Sequence, residues 1–91
     1  MLIISYDIKN DKLRTRFSKF IKKYGHRLQY SVFEIDNSKR ILDNIKREIT
    51  NTFEQHFEQT DSVMIIETSE NCKITKWGYA KNDDSSIIIV N

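Results

Sequence analysis

No proline interrupts this 91-residue chain, and only two glycines, Gly25 and Gly78, are available for tight backbone turns. Few special turns are therefore expected. There is one cysteine, Cys72, which excludes an internal disulfide and a zinc site built on cysteines. It falls in an expected turn with no histidine beside it and reads as an inert thiol. No run of about 18 apolar residues occurs, so no segment reads as a membrane-crossing helix. The first residues, Met1-Leu2-Ile3-Ile4-Ser5, have no basic stretch ahead of them and do not read as a secretion signal. These absences predict a cytoplasmic protein in a reducing compartment, with no membrane partner.

Other absences concern chemistry. The chain has no G-x-S-x-G, no P-loop and no G-x-G-x-x-G, so it carries none of the common nucleophile or nucleotide signatures. His26 and His56 are not spaced as a metal pair. His56 falls within the apolar arc of an expected helix and reads as a partly buried structural residue.

What is present fits one small domain, residues 1–91. A chain this short buries a modest core, and dimerisation would add to it. At 38% hydrophobic and 31% charged residues the composition is that of a folded protein. The net charge of +2 decides nothing, but its distribution does. Eight basic residues lie between Lys9 and Arg27, opposed only by Asp11. From Asp43 to Glu70 seven acidic residues face Lys46 and Arg47. The positive field therefore belongs to the first third of the chain.

Leu2 to Ile8 has the length and apolar character of a buried strand. A polar turn follows, in which Asn10 or Asp11 can cap the next helix. Leu13, Phe17, Phe20, Ile21 and Tyr24 share one face of a helix over Asp11–Tyr24, and Gly25 reads as its C-terminal stop. On the same helix Lys12, Arg16, Lys19 and Lys23 form a stripe, with Arg14 on the opposite flank. Arg27 to Asp36 is extended, and its alternation changes phase near Val32-Phe33, which predicts a bulge or tight hairpin. A second helix begins at Ser38, or at Asn37, with Ile41, Leu42, Ile45, Ile49, Phe53 and Phe57 as its apolar stripe. Asp61–Glu67 is a further strand. Ile74–Tyr79 and Ser86–Val90 read as two more, a C-terminal extension spanning 74–91.

The order β-α-β-β-α-β predicts an α+β, ferredoxin-like sheet with both helices on one face and one or two added C-terminal strands. The other face is then open. A homodimer stacking two such sheets face to face would cover it.

Asp7 is the informative carboxylate. It ends the first strand, where α/β proteins often place function, and a carboxylate suits Mg²⁺ or Mn²⁺ in phosphodiester chemistry. One aspartate is a poor site, but a two-fold axis near this strand end would pair it with the Asp7 of a second subunit. The competing reading is that Asp7 simply ends a strand and favours a turn. The basic stripe likewise reads either as a solvated helix face or as a phosphate-binding surface. Tyr6, Tyr30 and Phe33 read as stacking platforms for bases or, more simply, as core or interface residues.

Taken as an ordered set, Tyr6-Asp7-Ile8, Arg14 and Arg16, Tyr24-Gly25, Gln29 to Glu34, and Asp61-Ser62-Val63 resemble the second core family of CRISPR-associated proteins. These are small adaptation endoribonucleases that partner the CRISPR integrase, and the resemblance covers residues 2 to about 67. It implies a ferredoxin-like homodimer whose paired aspartates, here Asp7, hold Mg²⁺ or Mn²⁺. It implies catalytic positions at Asp7 and Tyr6. It further implies a part in activity or nucleic-acid contact for Tyr6, Arg14, Arg16, Arg27 and Phe33; the helix stripe adds Lys12, Lys19 and Lys23 to the nucleic-acid set, and Phe33 is also a candidate interface residue. The terminal residues Ile87, Ile88 and Ile89 would meet the integrase. The implied function is spacer acquisition, with the dimer bridging integrase subunits and binding duplex DNA, a spacer precursor, or single-stranded RNA. Two alternatives stand beside it. One is a stand-alone toxin-like ribonuclease, and the other is a non-catalytic RNA-binding module that would expose aromatics on its sheet.

Overall fold

Alternation of apolar and polar residues sets the sheet. In the computed structural model, which describes residues 1–69 and 71–79, β1 (Leu2–Asp7) buries Leu2, Ile4 and Tyr6 and turns Ile3, Ser5 and Asp7 to the other side. It pairs antiparallel with β3 (Val32–Ile35) and with β4 (Ser62–Glu67). β2 (Gly25–Gln29) flanks β3, and β5 (Lys73–Gly78) flanks β4, which gives the order β2-β3-β1-β4-β5. The first four strands thus form the expected ferredoxin-like arrangement, and β5 is the added strand among the described residues. Ile87, Ile88 and Ile89, expected to meet the integrase, lie outside the described residues.

Helix α1 (Asp11–Lys22) starts at Asn10, whose side chain accepts from the Leu13 amide at 2.9 Å. Leu13, Phe17 and Ile21 are buried, and Phe20 and Tyr24 pack at the rim. Lys19 and Lys22 lie in its last turn, where the helix dipole favours cations. Helix α2 (Lys39–Glu48) is capped by Ser38 and buries Leu42 and Ile45. It runs on through a π-helical turn, Ile49–Phe53, and a 3₁₀ turn, Glu54–His56. Ile49 and Phe53 remain buried through this change of pitch, but His56 does not. The expected half-buried histidine is therefore exposed, because the altered winding carries it off the apolar face. Trp77 of β5 donates its indole N–H to Thr50 Oγ1 in the π-helical turn at 3.0 Å.

Arg27–Asp36 is a hairpin turning at Tyr30-Ser31, and the register also shifts between Arg27 and Gln29. Gly25 does not end α1 in the left-handed conformation; among the described residues only Gly78 has positive φ, at 72°. Gly25 opens β2 instead, and a Cβ there would lie 2.0 Å from the Glu34 carbonyl oxygen. Phe33 also departs from expectation. Its side chain is fully enclosed under the helices, with its ring 6.2 Å from that of Tyr6, so it offers no surface to a second subunit. Its place in β3 puts it on the helix-facing side, opposite Ile4. No helix among the described residues is long and apolar enough to cross a membrane.

Candidate nucleic-acid interface

The turn after β1 is held from several directions. Asp7 is exposed and lies 3.3 Å from Lys9 Nζ. Arg14, from the first turns of α1, donates to the carbonyls of Ile8 at 3.0 Å and Lys9 at 3.3 Å, and its other arm binds the Asp11 carboxylate. That hydrogen bond to Asp11 raises the already high pKa of Arg14, against the opposing effect of desolvation. From just ahead of the neighbouring strand β4, 52 residues on in the chain, Asp61 Oδ1 accepts the Lys9 amide at 2.9 Å. Together with Ser5, Tyr6, Tyr30 and Ser31, the Asp7–Lys9 turn and Arg14 line an open depression of about 490 Å³.

A second cleft, of about 220 Å³, continues from it between α1 and the β2–β3 hairpin. Tyr6 forms its floor, and Arg14, Lys19, Lys22 and Arg27 give it positive walls, with no acidic residue among its described lining. The Arg27 guanidinium is fixed in place. It donates to Ser18 Oγ at 3.0 Å and to the Tyr30 carbonyl, and it lies 4.9 Å from the centroid of the Phe33 ring. Tyr30 is 74% exposed at the cleft mouth.

The structure thus gathers Arg14, Lys19 and Arg27 into one cleft. Lys12 and Arg16 lie along the other flank of α1, where a separate groove of about 240 Å³ also contains His56 and Glu58. Lys23 caps the helix and is exposed. Tyr6 is only 5% exposed, with its ring edge-on to Phe17 at 5.0 Å, so it shapes the floor rather than standing free. Lys22 joins the cleft although it lies off the expected stripe. The signal for it was the crowding of cations on every solvent-facing side of α1.

The open sheet face carries Ile3, Ser5, Asp7, Val32, Glu34, Met64 and Ile66 on its paired central strands, and Ile74 on β5. Its apolar members are half-buried in the single chain. Among the described residues this face has no phenylalanine, tyrosine or tryptophan, since Tyr6, Phe33 and Trp77 point to the helices; the imidazole of His26, opposite Glu34, lies on it at the edge strand β2. A sheet that stacks bases on exposed aromatics is not what these strands build.

A family model described as CRISPR associated protein Cas2 matches residues 1–76. The chain is 36% identical over 90 residues to CRISPR-associated endoribonuclease Cas2 2 of Methanospirillum hungatei, covering 97% of each protein. Among solved structures, a hypothetical protein TT1823 from Thermus thermophilus matches with a TM-score of 0.64 and 28% identity, over 75% of this chain and 79% of that one. Streptococcus pyogenes Cas2 at pH 6.5 shares the fold with a TM-score of 0.61 and 24% identity, over 77% of this chain and 87% of that one.

Proposed function

We propose that this chain, which belongs to the CRISPR-associated protein Cas2 family, acts in spacer acquisition as a homodimer that bridges integrase subunits and carries duplex DNA on its α1 surface. The observation that supports DNA carriage most directly is the cleft walled by Arg14, Lys19, Lys22 and Arg27. Cations lining a concave surface attract phosphates irrespective of sequence, which is what a scaffold for variable DNA requires. The half-buried Ile3, Val32, Met64, Ile66 and Ile74 on the open face supply an apolar surface for the second subunit.

Metal-dependent cleavage belongs to the same proposal, since the related protein of Methanospirillum hungatei is named an endoribonuclease. One chain by itself does not hold a divalent cation well. Among its described residues no three His, Cys, Asp or Glu side chains converge. Mg²⁺ and Mn²⁺ take oxygen ligands, and Asp7 presents an exposed carboxylate on the open face. A second copy packed there would add the Asp7 of the partner subunit, and the donor chemistry then fits. Once bound, the ion would supply Lewis-acid activation of a phosphodiester or of water. The chain's own part is to present the Asp7 carboxylate at the strand end and to draw the nucleic-acid backbone toward it along the basic cleft.

Asp7→Ala tests the two activities against each other. Cleavage of single-stranded RNA and duplex DNA in Mg²⁺ should disappear, while the complex with the cognate integrase and integration of a spacer duplex should persist. Cleavage that survives the change would remove Asp7 from the metal position. Failure to form a stable complex with the integrase, with or without DNA, would overturn the bridging role.

Lys9 bears on the same site. Its ammonium, 3.3 Å from Asp7 Oδ1, holds the place of a counter-ion. Two exposed charges at such a distance interact by about 1 kcal/mol in water. Lys9→Ala should therefore tighten Mn²⁺ binding by about three- to tenfold. Calorimetric titration measures it, and an unchanged affinity would show that Lys9 does not compete with the metal.

A further inference from the structure

We infer that Asp61 is the positioning residue of the Asp7 turn. Its side chain is fully buried, and both carboxylate oxygens are spent on main-chain amides. Oδ1 accepts from Lys9, two residues past Asp7, at 2.9 Å, and Oδ2 accepts from Glu58 at 2.8 Å. The main chain of Asp61 is itself tied down. Its amide donates to Glu58 O at 3.0 Å, and its carbonyl accepts from Tyr79 at 2.8 Å.

A carboxylate is costly to remove from water, and here charge-assisted bonds to two amides offset that cost. The bond to Lys9 joins residues 52 positions apart, so it is a tertiary clamp and not a local turn. Arg14 completes the clamp from the opposite side through the carbonyls of Ile8 and Lys9. The main chain directly after Asp7 is therefore fixed at its donor and at its acceptors. That fixes the exit of β1 and with it the direction of the Asp7 carboxylate. A metal shared by two aspartates across a two-fold axis tolerates little play, of the order of 0.5 Å. Asp61 touches neither metal nor substrate. Its role rests on the reading of Asp7 as the metal position, and it would set how well that position is held.

The test compares Asp61→Asn, Asp61→Ser, Asp7→Ala and Thr50→Val in the full-length chain. Asn keeps the volume but offers one acceptor in place of two. Ser also keeps one acceptor and serves if the Asn variant does not fold. Thr50→Val removes the acceptor of the Trp77 indole and loosens the fold away from the turn. Mn²⁺ affinity is read by calorimetry, and exchange of the Lys9 amide is read by NMR. The Asp61 variants should bind Mn²⁺ at least about tenfold more weakly, and their Lys9 amide should exchange several-fold faster. Thr50→Val should lower the melting temperature and change neither. Values for the Asp61 variants equal to those of Thr50→Val would overturn the role. If Asp7→Ala leaves Mn²⁺ binding intact, the metal reading of Asp7 fails instead. Faster Lys9 exchange in the Asp61 variants would even then support the clamp, and unchanged exchange would overturn it.

Discussion

Duplex DNA should bind this chain about a hundredfold more weakly at 200 mM salt than at 50 mM. The magnitude follows from counterion release, with a slope of about −0.9 per neutralised phosphate. Four contacts per chain, drawn from the cations on and beside α1, give a slope of about −3.6 in log–log form. A dimer that uses both copies would be steeper still. Charge reversal of Arg16 and Lys19 together should remove about two contacts' worth of slope and weaken binding at every salt concentration. Arg14 should behave differently. Its guanidinium already donates to Ile8, Lys9 and Asp11, so Arg14→Ala should disturb the Asp7 turn more than it flattens the salt slope. Fluorescence anisotropy with a labelled duplex measures all three. Affinity that does not respond to salt would refute a role for the α1 surface.

The largest effect on stability should come from a single methyl group. Gly25→Ala places a Cβ 2.0 Å from the Glu34 carbonyl oxygen and 2.8 Å from the Ile35 Cα. Both obstacles are backbone, so neither can swing aside like a flexible side chain. Relief requires β2 and β3 to part at their first pair, Gly25 with Ile35. Overpacking of this kind costs about 3 kcal/mol, a large share of the stability of a small domain. In a chain this short the melting temperature should fall by about 12–24 °C. Circular dichroism during heating checks this, and an unshifted midpoint would mean that the strands separate without cost.

Gly25 also illustrates what the sequence conveys and what it withholds. A glycine directly after an apolar helix reads as a helix stop, because that signal is local. Its actual reason is a carbonyl contributed by Glu34, which only the paired strand brings near. The same division runs through the fold. The periodicity of Leu13, Phe17 and Ile21, the Asn10 and Ser38 caps and the phase change before Phe33 are local, and each appears in the structure as expected. His56 falls on the apolar arc only if the 3.6-residue period continues, and a π-helical turn interrupts that period before it. Phe33 reads from the sequence as either a core or an interface residue, and its register opposite Ile4 decides for the core.

The site divides in the same way. The positive charge of α1 is legible residue by residue, and so is the position of Asp7 at the strand end. The cleft is not, since it needs Arg27 and Tyr30 brought against α1 from the hairpin. Asp61 stands out in the sequence only as one member of a resembling set. Its bond to Lys9 depends on β4 lying beside β1, a pairing that no local pattern encodes.

The tie between Trp77 and Thr50 gives the molecule an optical label of its own. Trp77 is the only tryptophan in the chain, is 5% exposed, and sits on β5, the outermost strand of its edge of the sheet among the described residues. Indole emission shifts to longer wavelength when water reaches the ring. Lifting β5 off β4 breaks the Thr50 bond and exposes that ring, whereas a subunit arriving on the open face leaves it covered. The colour of the intrinsic fluorescence therefore distinguishes an assembly that borrows this strand from one that leaves it in place.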